Sequence, residues 1–523
     1  MRVRLPRASA GYRIERDLAI PMRDGANLLA DRYVPSTATP RGVLLLRTPY
    51  GRRGLFPQIT AGLYAERGYH VLLQSVRGTF GSDGAFEPGV NEVADGADTV
   101  DWLREQSWFS GRFATVGASY LGYTQWAQLA SAPAELVTAA ITMGAHDLAF
   151  TSWGTGSYAL ADLFGWSFQI AEQEMGGSVR RLFNAITFLK RLNATMAKLP
   201  LTETGGASVA DRAPWHRHWL EHPDPRDEYW DPARMTSALD SASIPVLLIG
   251  GWQDVFVDQT LEQYQRLRKR GVDVALVVGP WTHAQGGGDA VRESLAWLDE
   301  HLGGEPRRGG RVRIFVTGGA GWRDLLEWPP RSADFIMYPG PGSTLVGASP
   351  MADGSSSRFT YDPAQPTPTV GGRLLFGKGG YQTDTKLATR SDVVAFTGQP
   401  LTEDLEVIGT PRVELAHSTD IPWADVFVRI SEVDRRGRSH NVTDGYVRLS
   451  LERSPLLRLD MDAIAHRFRA GNRIRLIVAG GSFPRFARNL GTGEPAATGT
   501  RLARCTHVVT HAGSRLILPV PAL

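Results

Sequence analysis

Thr115-Val116-Gly117-Ala118-Ser119-Tyr120-Leu121-Gly122 is the stretch from which the rest of the chain is read. An apolar run over 113–116 leads into Gly117, a serine sits at the turn, and a helix-period segment, 120–131, opens directly after it. A strand that turns sharply through a serine into a helix lifts the hydroxyl onto an exposed tip. It also aims the free N–H groups of the first helical turn at the same point, where an oxyanion would develop. Small neighbours are required, because strand and helix approach closely and the backbone at the serine is strained. The pattern departs from Gly-x-Ser-x-Gly: Leu121 holds the last glycine position and Gly122 follows one later. Taken alone, the stretch reads equally as an ordinary small-residue turn.

Working outward, similar apolar runs recur at 42–46, 69–73, 136–143, 244–249 and 272–278, each bounded by Gly or Pro. Continuous short runs of Val, Leu and Ile are what strands covered on both faces look like. Helix-period segments lie between them, at 56–67, 92–106, 258–270 and 291–302. This alternation predicts a doubly wound α/β sheet, preceded by a strand pair within 14–35 that turns at Arg23-Asp24-Gly25. The alternation breaks over 146–240, where helical patterns, tryptophans and Pro-rich turns suggest an inserted helical cap. After 310 helical periodicity fades. Short alternating runs such as 407–413, 426–433 and 474–478 predict an antiparallel β-sandwich or jelly roll. The expected domains are 1–145 with 241–310 for the catalytic unit, 146–240 for the cap, and 335–523 for the β-rich unit.

The order of three strand ends turns the fold into chemistry. The run 244–249 continues into Gly250-Gly251-Trp252-Gln253-Asp254, and the run 272–278 into Gly279-Pro280-Trp281-Thr282-His283. Ser119, Asp254 and His283 thus leave the same C-terminal edge of the sheet, where open α/β sheets gather their sites. A serine hydroxyl is a weak nucleophile until an imidazole takes its proton, and a carboxylate fixes that imidazole's tautomer. The expected triad is Ser119, His283 and Asp254. Asp258 is the alternative acid, but it falls inside the helix that follows. His146 precedes the insertion and reads as structural or as a pocket residue. His216, His218 and His222 have the spacing of a metal cluster, yet no cysteine or patterned carboxylate accompanies them, and a solvated cap segment is the expectation.

Composition bounds the partners. The 523 residues are 42% hydrophobic and 21% charged, with 57 basic and 54 acidic side chains and a net charge of +3. That balance argues against a nucleic-acid or membrane-surface footprint. A single cysteine, Cys505, excludes an intrachain disulfide and a cysteine metal site. No run of about 18 apolar residues suggests a membrane span. The opening MRVRLPRASAGYRIERD is charged but lacks an apolar segment, so the expected location is cytoplasmic. No metal or organic cofactor is implied, and apolar surface on the β-rich unit leaves room for a homodimer.

The assembled motifs resemble the cocaine-esterase-like hydrolases, the group that includes X-Pro dipeptidyl-peptidases and α-amino-acid ester hydrolases. The resemblance rests on Ile20-Pro21-Met22-Arg23-Asp24-Gly25 and Arg47-Thr48-Pro49-Tyr50. It continues through Val76-Arg77-Gly78-Thr79-Phe80-Gly81-Ser82-Asp83-Gly84 and Gly-x-Ser-Tyr-x-Gly at 117–122. It ends with Trp423-Ala424-Asp425-Val426 and Gly471-Asn472-Arg473-Ile474-Arg475. It implies an α/β-hydrolase fold and the same triad. It also implies an oxyanion hole from the Tyr50 hydroxyl and the Tyr120 N–H, and an aromatic acyl pocket at Trp153, Trp166 and Phe256. Such a pocket favours an apolar or aromatic acyl group. The α-amino-acid ester hydrolases place extra carboxylates just after the triad acid; Val255 and Phe256 stand there in this chain. An esterase acting on a small-molecule ester is therefore the expectation. An X-Pro dipeptidyl-peptidase or amide acylase is the alternative within the family, and a non-catalytic β-domain binding protein is the alternative outside it.

Overall fold

Every apolar run named above forms a strand of one sheet. The computed structural model describes residues 5–54, 58–175, 178–204, 206–304, 310–349, 354–452 and 454–522. The strands are β1 (Tyr12–Pro21), β2 (Asn27–Pro35), β3 (Gly42–Thr48), β4 (Tyr69–Ser75), β5 (Phe113–Ala118), β6 (Leu136–Thr142), β7 (Val246–Gln253), β8 (Val274–Thr282), β9 (Val312–Val316) and β10 (Gly321–Leu325). Their spatial order is β1-β2-β4-β3-β5-β6-β7-β8-β9-β10. From β4 to β9 all neighbours run parallel, while β1, β2 and β10 join antiparallel at the two edges. β4 and β7 are buried along their whole length, which is why their sequences do not alternate. One apolar cluster on each side of the sheet fills the space beneath the helices.

The sheet passes the expected boundary at 310. β9 pairs parallel with β8, and β10 folds back onto β9. Val312–Val316 alternates in burial, as a strand with one face less covered does, so by pattern it reads like the β-rich unit. Its hydrogen bonds place it in the catalytic sheet. The helix expected over 56–67 is a short helical stretch, Gln58–Gly62 followed by Leu63–Ala65. Positions 56 and 57 of that expectation lie outside the described residues.

The segment between β6 and β7 holds the helices Leu148–Trp153, Leu160–Gln173, Ser178–Met196 and Trp215–Glu221. They enclose their own apolar cluster, which includes Ala487 and Ala497 of the C-terminal unit. That unit is a sandwich. Residues 332–337 of the strand Ser332–Gly340 pair with Cys505–Pro521, and residues 338–340 pair with Thr344–Val346. One strand thereby serves both layers. Phe396, Val428 and Leu476 from one layer meet Val413, Val509 and Leu518 from the other. The run expected over 407–413 is split at Thr410-Pro411. Leu405–Gly409 pairs with Ile464–Phe468, and Arg412–Thr419 pairs with Leu456–Asp460. Proline has no N–H for a ladder, which marks the break. The Thr317 N–H donates to the Ala465 carbonyl at 2.9 Å, joining sheet and sandwich just past β9.

Candidate active site

Ser119 sits between β5 and the helix Tyr120–Ser131 with φ 61° and ψ −125°, a strained conformation for a side chain with a Cβ. The turn is held on both sides: the Ser119 N–H donates to the Thr142 carbonyl at 3.0 Å, and its own carbonyl accepts from Gly122 at 2.8 Å. The displaced glycine now has a physical reason. A Cβ on Gly122 would stand 2.7 Å from the Gly144 Cα, where the new helix crosses the end of β6. A Cβ on Gly117 would stand 2.5 Å from that of Leu121. Close packing, not the immediate turn, dictates where the glycines fall.

Asp254 follows β7 directly and is fully buried. One of its oxygens accepts from His283 Nδ1 at 2.6 Å, and the other accepts the Phe256 N–H at 3.1 Å. His283 follows β8 directly, and its ring stands edge-on to Phe256 at 5.3 Å. The Asp254 bond occupies Nδ1 and leaves Nε2 for another partner. Asp258, the alternative acid, is instead bound to Arg373 at 2.7 Å.

Tyr50 follows β3 on the loop beside Ser119. Its hydroxyl accepts the Trp166 indole N–H at 3.1 Å and is hydrogen-bonded to the Ser119 side chain and the Tyr120 backbone. Burial raises its pKa, and those hydrogen bonds lower it in part, so the phenol stays protonated and able to donate. The Tyr120 ring is tied up elsewhere. Its hydroxyl donates to buried Glu92 at 2.8 Å and accepts the Gly89 N–H at 3.2 Å. Only the Tyr120 backbone N–H faces the serine.

Ser119, Tyr50 and Tyr120 stand at the floor of a cavity walled by Leu148, Leu163, Trp166, Trp219, Phe256 and Leu375. Trp166 is sandwiched between the Tyr120 ring at 5.7 Å and the Trp219 ring at 6.1 Å, both nearly parallel to it. Trp153 does not line this cavity. Its indole N–H donates to the Trp219 carbonyl at 2.8 Å and its ring packs on Tyr158, so it backs the wall that Trp219 presents. The cap-segment expectation also needs correction: Trp215–Glu221 buries Trp215, His216, Trp219 and Leu220 rather than lying in solvent. The three histidines do not converge. His216 Nδ1 meets the Tyr158 hydroxyl at 3.1 Å, His222 Nδ1 meets Asp227 at 2.9 Å, and the His218 ring faces Tyr229. Among the described residues the acidic and imidazole groups close enough for a shared ion are Asp273, Glu300 and His301, and Arg311 ion-pairs with both carboxylates.

His146 and His216 are both buried, and burial pulls each imidazole down to about 3. The folded chain therefore declines protons that the unfolded chain accepts below about pH 6.5. Stability rises with pH across that window and is lost as pH falls toward 3. A fall from pH 6.5 to 4.5 is expected to cost about 2 kcal/mol per imidazole. Thermal melts at the two pH values check this: His216→Gln should show a visibly smaller drop than the native chain.

Several wall residues went unnamed in the sequence, Trp219, Asp162 and Leu375 among them. Trp219 was hidden in a segment taken as solvated, although tryptophans at 215 and 219 share a helix face. Asp162 carries no motif, and Leu375 arrives from the β-rich unit with no local signal at all.

A strained serine at a strand–helix turn, a buried carboxylate–imidazole pair at the next strand ends and two hydrogen-bond donors beside the serine define a serine hydrolase of the α/β-hydrolase type. Residues 24–285 match the X-Pro dipeptidyl-peptidase (S15 family) model, and 307–516 match the X-Pro dipeptidyl-peptidase C-terminal non-catalytic domain. Cocaine esterase of Rhodococcus sp. (strain MB1 Bresler) is 31% identical over 573 aligned positions, covering 97% of this chain and 99% of that protein. The chain belongs to this S15 family of cocaine-esterase and X-Pro dipeptidyl-peptidase relatives. Two solved structures share the fold. An aminopeptidase from a marine sediment Thaumarchaeota archaeon has TM-score 0.83 at 22% identity, and an α-amino-acid ester hydrolase has TM-score 0.81 at 22% identity. Each alignment covers 99% of this chain and 98% of the other. Among the described residues no helix is long and apolar enough to cross a membrane.

Proposed function

We propose that this chain hydrolyses small carboxylic esters with apolar or aromatic acyl groups through an acyl-enzyme on Ser119. The observation that carries this reading is the meeting of the Tyr50 hydroxyl, the Tyr120 N–H and the Ser119 side chain at the floor of an apolar cavity. His283 takes the Ser119 proton through Nε2 as the oxygen attacks the ester carbonyl, while Asp254 holds the imidazole through Nδ1. Tyr50 and the Tyr120 N–H donate to the oxyanion. The alcohol leaves with the proton from His283, and water then releases the acid by the same route.

The ester reading is favoured over peptide cleavage by the two positions after Asp254. Val255 and Phe256 line the cavity there and offer no charge to an amine held beside the triad acid. Hydrolysis of p-nitrophenyl butyrate beside an X-Pro p-nitroanilide separates the two: faster turnover of the anilide would replace this reading with the peptidase one. A role for the β-rich unit as a binding module without catalysis would leave the chain's function intact in Ser119→Ala. The single cysteine and balanced charge support a cytoplasmic enzyme acting on a small molecule without a nucleic-acid or membrane partner. A homodimer through the β-rich unit belongs to the same reading, and its mass in solution tests it.

Trp166 has two separable contributions. Its ring forms the central wall, and its N–H holds Tyr50. Trp166→Ala is expected to lower kcat/KM for p-nitrophenyl benzoate about ten- to a hundredfold, the range for one large apolar contact, with a smaller loss for acetate. Trp166→Phe keeps most of the wall and loses the N–H, so its loss should be similar for both esters. The ratio of specificity constants for the two esters is the measurement.

A further inference from the structure

The apolar cavity at Ser119 does not end at its far wall. Thr151, Asp162 and Val255 line it on one side and line a second cavity on the other. The second cavity lies in the seam between the cap, the helix Val257–Lys269 and the β-rich unit. Its character is different: Asp258, Gln259, Arg373 and Arg485 face it. The two guanidinium groups there are already answered. Arg373 is bound to Asp258 at 2.7 Å and Asp462 at 2.6 Å, and Arg485 to Asp444 at 3.2 Å and Asp462 at 3.6 Å. Asp162 stands at the junction, 8% exposed, and accepts one backbone N–H, from Leu375 at 2.8 Å. Among the described residues no cation forms an ion pair with it. A buried carboxylate is costly unless partners answer its charge. Among the described residues it is the one charged side chain of that apolar wall, and it keeps acceptor capacity.

We propose that the junction at Asp162 is a distal subsite for a positively charged or hydrogen-bond-donating group at the far end of an apolar acyl chain. The chain would cross the aromatic cavity from Ser119 and place a terminal ammonium between the two cavities, against Asp162. Asp162 itself, facing the end of the chain, rejects a terminal carboxylate by like charge, and the two guanidinium groups of the second cavity are already paired. This inference rests on the acyl-enzyme reading of Ser119 and adds a specificity determinant to it. Val255 and Phe256, beside the triad acid, stay apolar, so the site reads the end of the acyl chain and not the position next to the carbonyl.

The test compares p-nitrophenyl esters of hexanoic acid, 6-aminohexanoic acid (as its ammonium) and adipic acid (as its monoester), with butyrate as reference. At pH 7.5 the native chain is expected to favour the ammonium ester over hexanoate at least tenfold in kcat/KM, chiefly through KM, and to disfavour the adipate. In Asp162→Asn the ammonium-to-hexanoate ratio should fall about tenfold. Because a ratio is read, a general loss of activity in the variant does not mimic the effect. A second arm needs no variant. Burial pushes the Asp162 carboxyl up to about 6, against the Leu375 N–H and the nearby Arg485, Arg373 and His283. The ammonium preference of the native chain should therefore shrink between pH 7.5 and 5. Equal rates for all three six-carbon esters, a preference for adipate, or no turnover of any of them beside normal butyrate turnover would overturn the subsite alone. Absence of butyrate turnover would overturn the acyl-enzyme reading and the subsite with it.

Discussion

Ser119→Ala is expected to abolish the burst of p-nitrophenol that the native chain should release from p-nitrophenyl butyrate. In the native chain the burst should approach one equivalent per chain, because attack by Ser119 outruns hydrolysis of the acyl-enzyme on an activated ester. The variant loses the nucleophile but keeps the backbone donor at Tyr120 and the Tyr50 phenol. Residual catalysis over water from such a site is on the order of 10³–10⁴, while loss of the nucleophile costs on the order of 10⁶ in kcat. His283→Ala should be nearly as damaging, and the double variant little worse than either, because the two side chains act as one unit. Stopped-flow traces of the three variants beside the native chain give the comparison. Turnover that survives in Ser119→Ala would refute the assignment of the nucleophile.

The second large effect belongs to Tyr50. Removing one preorganised oxyanion donor costs on the order of 10²–10³ in kcat. Tyr50→Phe keeps the ring packed beside Trp166 and deletes only the hydroxyl, so the loss should fall on kcat with KM little changed. The hydroxyl is hydrogen-bonded to Ser119 and Tyr120 in the resting chain, and burial keeps it protonated. It therefore has its proton ready when charge develops on the carbonyl oxygen. A transition-state analogue sharpens the test: a boronic acid should lose affinity in the variant by a similar factor, whereas the alcohol product should not. A Tyr50→Phe chain with native kcat would return Tyr50 to loop packing and leave the Tyr120 N–H as the donor.

These two variants probe different parts of the reading. Ser119, Asp254 and His283 were legible because each stands at a strand end with its own local signal: a Gly-rich turn, a buried apolar run before it, and a fixed order along the chain. The structure sets Asp254 and His283 2.6 Å apart, as that order implied. Tyr50 and Trp166 were legible only through resemblance to related chains, since neither carries a local pattern that separates a site residue from a packed aromatic. Trp153 shows the limit of that route, because its indole supports the pocket from behind Trp219.

Other features had no local signature to read. The catalytic sheet runs on past 310 because Val312–Val316 pairs with β8, while its alternating burial is a pattern that a sandwich strand shows as well. The expected helical cap is present, but the burial of Trp215–Glu221 depends on aromatic partners far along the chain, including Trp153, Trp166 and Phe86. Leu375 enters the pocket wall from the sandwich, and Asp162 takes its hydrogen bond from that same loop.

The sequence by itself determined the alternating α/β order, the serine turn and the strand ends that carry Asp254 and His283, because local periodicity and turn chemistry act over a few residues. Only the tertiary structure decided which strands the catalytic sheet ends with, which aromatics face the serine, and that a second, polar cavity opens behind Asp162. Those properties arise where segments more than a hundred residues apart come together at the seam of three units, and no short-range pattern in the chain encodes that meeting.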